Sequence, residues 1–140
     1  VTAREFGRGH EWILQPILDI VSQANDEQFG FEIDGIAENC NYLVYKNPGD
    51  CYRRHVDVHM NDLNTETANR KLTFILQLSS SDDYSGCDVS LDNDADGGVS
   101  IPRSCGALSI CPAWIAHEVK PLISGERHSI VGWAHGPAWQ

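Results

Sequence analysis

The sequence predicts a mainly β fold of the α+β class, a jelly roll or β-sandwich with one helix near its N-terminal end. Three observations carry this. Trp12, Ile13, Pro16, Ile17, Ile20, Val21 and Ala24 recur at helical spacing. From residue 31 onward the apolar residues come in short runs, β-branched or alternating, each bounded by Gly, Pro, Asn or Asp. No helical pattern separates those runs, which removes parallel βαβ architectures.

The helix is expected to end at Asn25-Asp26, with Pro16 limiting how far upstream a regular helix reaches. The strand runs are FEIDGI, CNYLVYK, RRHVDVHM, KLTFILQLS, CDVSLD, GALSIC and HSIVGWA. In KLTFILQLS, Leu72, Phe74, Leu76 and Leu78 share one face and read as packing. Thr73, Ile75, Gln77 and Ser79 share the other, a semi-polar face able to line a pocket. A chain of 140 residues suits one domain over 1–140, with a helical part at about 10–26 and a jelly-roll core at about 31–136.

Composition narrows the function. A net charge of −10 argues against a nucleic-acid partner, which needs a basic face. The longest apolar runs, such as LTFIL, are far short of the roughly 20 residues of a membrane span. VTAREFGRGHEW lacks the apolar centre of a signal peptide. The five cysteines form no CxxC pair, so free thiols in a reducing cytoplasm are expected. DNDADGG, from Asp92, resembles the first half of a calcium loop. Its twelfth position is Arg103 where a bidentate Glu is required, so it reads as a turn between strands.

RHVDVHM sets His55, Asp57 and His59 two residues apart. A strand rises about 3.3 Å per residue, so i and i+4 lie roughly 13 Å apart. First-shell ligands sit about 2 Å from their metal. His55 and Asp57 can therefore share an ion, whereas His59 cannot join them on a regular strand. The third ligand must come from another strand, and His117 stands out, followed ten positions later by Arg127. Two histidines and one carboxylate form a facial triad with open positions, suited to non-haem Fe(II) and oxygen chemistry.

These residues resemble the 2-oxoglutarate- and Fe(II)-dependent dioxygenases, in their prolyl 4-hydroxylase-like branch. The resemblance runs through Tyr45, Gly49, Tyr52, His55-Val56-Asp57, YSGCDV, and HEVKPLISGER ending in Arg127, with Trp133 beyond. It covers about residues 40–135 and implies a double-stranded β-helix of the cupin-like kind. It implies that His55, Asp57 and His117 hold Fe(II). Arg127 would grip the far carboxylate of 2-oxoglutarate through two parallel hydrogen bonds. Ser129 would add a hydroxyl, Tyr45 a hydrogen bond in the cosubstrate pocket, and Val131 and Trp133 a wall. Gln77 stands where some relatives carry a tyrosine and could donate to the oxoglutarate. Gly86-Cys87 replaces the usual double glycine.

The implied reaction hydroxylates a C–H bond, on a prolyl or other residue of a protein or on a small molecule. It consumes O2 and 2-oxoglutarate, releases succinate and CO2, and can draw on ascorbate as reductant. Asp57 separates the chain from related halogenases, which lack that carboxylate. Arg53, His59 and the loop 60–71 are open between substrate contact and plain surface. The alternatives are a non-catalytic jelly-roll module and an oxoglutarate-independent cupin-like metal protein.

Overall fold

The computed structural model describes residues 1–58, 66–92 and 98–139. Its strands are β1 (Thr2–Phe6), β2 (Cys40–Tyr45), β3 (Tyr52–His55), β4 (Arg70–Gln77), β5 (Tyr84–Gly86), β6 (Val89–Leu91), β7 (Val99–Ser100), β8 (Leu108–Pro112), β9 (His117–Val119), β10 (Leu122–Gly125) and β11 (Arg127–His135). The helix α1 (Glu11–Ala24) lies between β1 and β2, and a single π-helical turn, Asn25–Phe29, extends it. A five-stranded sheet runs β1-β2-β11-β4-β8, a four-stranded one β3-β9-β6-β7, and β10 pairs with β5. All the pairings are antiparallel. This is the mainly β architecture with one N-terminal helix that the sequence predicts.

Strict alternation along β2, β4 and β11 sorts side chains onto two faces of the large sheet. Outward, Cys40, Leu72, Phe74, Ile130 and Ala134 pack on Ile17 and Val21 of α1. Inward, Leu43, Tyr45 and Ile75 meet Tyr84, Val89, Val119 and Leu122 of the other sheets. One close approach depends on a missing side chain. A Cβ on Gly132 would lie 2.3 Å from Phe74 Cζ and 2.6 Å from Cys40 Sγ. The helix-side core closes over β11 only because Gly132 leaves that space.

Four expectations change. FEIDGI is not a strand: among these residues only Gly35 makes a β-bridge, to His135, while Phe31 and Ile33 pack against the helix-side core. β1 precedes the helix, in a stretch whose charges hid its character; its partner β2 supplies the pairing. Pro16 sits inside α1 and does not limit it. The turn upstream is secured by bonds from Ile13 N and Leu14 N to His10 O, at 3.0 and 3.1 Å. Trp12 and Ile20 keep helical spacing but are 74% and 53% exposed, so the buried stripe of α1 centres on Ile17 and Val21.

All five cysteines are free, with Cys40, Cys87 and Cys111 buried. Among the described residues no helix is long and apolar enough to cross a membrane. In the 92–98 stretch, residues 93–97 lie outside the described residues; the flanking β6 and β7 pair, Leu91 opposite Val99.

Candidate metal centre and adjoining cavity

Strand register builds the centre. β3 ends at His55 and β9 begins at His117, and the antiparallel pairing sets these two residues opposite each other. Their ring centroids are 4.3 Å apart. Asp57 lies just past the end of β3, fastened by its N–H to Ala113 O at 2.9 Å. His55 Nε2 is 3.3 Å from Asp57 Oδ1, and His117 Nε2 is 3.5 Å from Asp57 Oδ2. The three ligand atoms all lie within 4.8 Å of one another.

Each histidine is aimed by its own chain. His55 Nδ1 bonds Arg53 O at 2.7 Å, and His117 Nδ1 bonds Ile115 O at 3.0 Å. A carbonyl can only accept, so Nδ1 carries a proton in both rings and Nε2 is the atom each ring presents toward Asp57, the one available to a metal once it is deprotonated. Asp57 Oδ2 accepts from Thr73 Oγ1 at 2.7 Å and from Trp133 Nε1 at 3.1 Å. Burial alone would push the Asp57 carboxyl up. His55, His117, Thr73 and Trp133 together overturn that and hold it at about 2. His55 is raised, first by its bond to Asp57, which outweighs partial burial. A buried, ionised carboxylate flanked by the Nε2 atoms of two imidazoles is a donor set that fits Fe(II).

A cavity of about 210 Å³ opens from these three residues into the space between the sheets. Apolar side chains, among them Leu43, Ile75, Val89 and Val119, make most of its wall. Successive inward residues of β11, Arg127, Ser129, Val131 and Trp133, line it, as do Tyr45, Tyr52 and Asn41. Arg127 is 1% exposed. Its Nε donates to Gln77 Oε1 at 3.1 Å, and its guanidinium carbon sits 4.9 Å from the centre of the Tyr45 ring. Among the described residues its Nη1 and the Ser129 hydroxyl have no hydrogen-bond partner. Burial pushes the Tyr45 hydroxyl up, so it stays a neutral donor. A buried cation with an unfilled donor is costly unless an anion completes it. The guanidinium with the adjacent hydroxyl fits a carboxylate.

The remaining sequence candidates take different places. Gln77 does not line the cavity: its Oε1 serves Arg127 and its Nε2 donates to Pro102 O at 3.2 Å. It stands behind Arg127 and not beside a ligand. The β3–β9 register shifts between Tyr52 and His55, so alternation fails there. Tyr52 and His55 both line the cavity, whereas Arg53 is exposed and does not. Arg54 pairs with Asp92. His59 and residues 60–65 of the 60–71 loop lie outside the described residues. Sequence reasoning missed Asn41 in the wall, Thr73 on Asp57, and Glu38 and Arg70 behind Trp133. Only Thr73 had a signal, its place on the semi-polar face of KLTFILQLS.

A sequence profile described as the 2OG-Fe(II) oxygenase superfamily matches residues 40–135. The chain belongs to this superfamily. The superfamily works with Fe(II), 2-oxoglutarate and O2, and His55, Asp57 and His117 are placed to take the iron. The oxygenase chain is 31% identical over 85 residues to a PKHD-type hydroxylase of Hyphomonas neptunium, covering 61% of this chain and 38% of that protein. It is 32% identical over 75 residues to one of Maricaulis maris, covering 54% and 34%. It thus spans little more than a third of the length of the curated relatives it matches.

Solved structures share the oxygenase fold, the prolyl 4-hydroxylase-like double-stranded β-helix. A Pseudomonas putida prolyl-4-hydroxylase superposes with a TM-score of 0.75 at 22% identity, over 97% of this chain and 72% of that one. A Trichoplax adhaerens prolyl hydroxylase, in complex with a hypoxia inducible factor oxygen degradation domain peptide, gives 0.73 at 22%, over 95% and 61%. A viral collagen prolyl hydroxylase from Paramecium Bursaria Chlorella virus-1, in its 2OG complex, gives 0.70 at 18%, over 96% and 79%.

Proposed function

We propose that this chain carries the active site of a hydroxylase that uses Fe(II) and 2-oxoglutarate to insert one oxygen atom of O2 into a C–H bond of a peptide, at a prolyl or other residue. Succinate and CO2 are the co-products. The observation that carries the reading is the pair of unmet needs at the two ends of one cavity. At one end three donors face a common point; at the other a buried guanidinium and hydroxyl await a carboxylate.

On this reading His55 and His117 hold the metal through Nε2, and Asp57 through its carboxylate. Arg127 and Ser129 hold the distal carboxylate of 2-oxoglutarate, with Tyr45 beside it. Iron and cosubstrate, once bound, supply the oxidising chemistry. The protein supplies position and dryness. Leu43, Ile75, Val89 and Val119 keep water from the reacting atoms. Asn41 and Trp133 line this cavity and also a second, more polar one of about 460 Å³, bounded by Glu5, Asn39, Glu66 and Arg70. On this reading a peptide would approach from the side of that second space. The peptide bound in the Trichoplax relative supports this substrate class.

The test is a panel of proline-containing peptides, read by mass spectrometry for a gain of one oxygen, with succinate measured alongside. The expected result is oxygen gain that requires 2-oxoglutarate, matches succinate mole for mole and disappears in His55→Ala. Turnover that persists in His55→Ala defeats the proposal. Failure to bind 2-oxoglutarate, or affinity unchanged in Arg127→Ala, would leave an oxoglutarate-independent cupin-like metal protein.

A further inference from the structure

The two oxygens of Asp57 are not equivalent. Oδ2 receives the Thr73 hydroxyl at 2.7 Å and the Trp133 indole N–H at 3.1 Å. A carboxylate oxygen has two in-plane lone pairs, and these two donors use both. Oδ2 is the oxygen nearer His117, at 3.5 Å, yet it is the engaged one. Oδ1 lies 3.3 Å from His55 Nε2 and receives no bond from any other described residue.

Trp133 is itself held from outside. The Arg70 guanidinium carbon lies 3.6 Å from the centre of its ring, and Arg70 Nη1 donates to the backbone carbonyl of Asp57 at 3.2 Å. Glu38 grips Arg70 Nε and Nη2 at 2.7 and 2.6 Å, and His135 Nε2 bonds Glu38 at 2.7 Å. The Ala37 N–H donates to His135 Nδ1 at 3.0 Å, so Nε2 is the nitrogen that carries the proton toward Glu38. A chain of contacts thus runs from Asp57 to the end of β11.

We infer that Thr73 and Trp133 are positioning residues that force Asp57 to bind metal through Oδ1 alone, with Arg70 and Glu38 fixing the plane of the indole. The inference rests on the hydroxylase reading and deepens it. A metal held by one atom from each of His55, Asp57 and His117 would keep open positions for the cosubstrate and O2. A carboxylate binding through both oxygens would take one of them.

The experiment uses Co(II) as an optical probe, titrated without cosubstrate or substrate, so no turnover enters. Trp133→Phe removes the N–H together with the five-membered ring and so also changes packing; Thr73→Val keeps the shape and removes only the hydroxyl, which makes it the decisive comparison. Each is expected to weaken Co(II) binding about 10- to 100-fold and to alter its d–d spectrum, as disturbed outer ligands do. Thr73→Ser, which restores the hydroxyl, is expected to recover parental affinity and spectrum. Folded variants that match the parent in both readouts overturn the inference while leaving the hydroxylase reading intact. A parent protein that takes up no Co(II), or whose Co(II) uptake survives His55→Ala, overturns both.

Discussion

Arg127 and Gln77 show how a residue's role depends on what stands behind it. Gln77 fell on the face of KLTFILQLS expected to meet ligand, and that face does point inward. Its amide is consumed before it reaches the cavity, by Arg127 on one side and Pro102 on the other. No pattern in sequence could show this, because Arg127 and Gln77 are 50 residues apart. Gln77 fixes which guanidinium nitrogens stay free. Gln77→Leu should therefore weaken 2-oxoglutarate binding about tenfold or more, the value of one hydrogen bond to a charged group. Calorimetric titration of the metal-loaded protein checks it; unchanged affinity would show that Tyr45 and packing alone hold Arg127. His55, Asp57, His117 and Arg127 were legible because their spacing is chemical. Thr73, Trp133 and Arg70 as partners of Asp57 were not, because those contacts exist only after the sheets have stacked.

At the scale of elements, period-2 alternation is what made β4 readable, and its breakdown is what made β3 misleading. Leu72 and Phe74 pack outward and Thr73 and Ile75 inward, as alternation requires. In β3 the register shift puts Tyr52, not Arg53, with His55 at the cavity. A shift of this kind leaves no mark in composition. β1 was invisible for a different reason: its residues are mostly exposed, and it is a strand because β2 pairs with it. β11 carries the sharpest constraint. An added methyl on Gly132 would enter the space of the Phe74 ring. Gly132→Ala should lower the unfolding free energy by about 1–3 kcal/mol, the usual penalty of overpacking. Denaturant melts measure it, and Phe74→Leu in the same chain should return part of the loss. Equal stability of parent and variant would mean that the helix-side core yields freely.

Across the whole molecule, the segment leading into β2 is joined to β4 and β11 by one charged cluster. Glu38 comes from that segment, Arg70 from β4 and His135 from β11. Partial burial pushes the Glu38 carboxyl up, but bonds from Arg70 and His135 pull it down further, to about 2 from an ordinary 4.5. A depressed carboxyl stabilises the fold in full above its unfolded value and loses that contribution as pH falls toward its folded one. Glu38→Gln should then cost about 2–3 kcal/mol at pH 7, with the gap narrowing steadily below pH 4.5. Urea melts of both proteins at pH 7, 5 and 3.5 check the trend. A gap that stays constant would assign the loss to packing.

The cavity described between the sheets has its two binding ends on different supports. Arg127 and Ser129 sit on β11, hydrogen-bonded on both sides within the large sheet, whereas His55 and His117 sit on the short strands β3 and β9 of the other. A dicarboxylate held at both ends would act as a removable crosslink between the two layers, added to their packed side chains and the Asp57–Ala113 backbone bond. Cosubstrate would then be a structural clamp as well as a reactant.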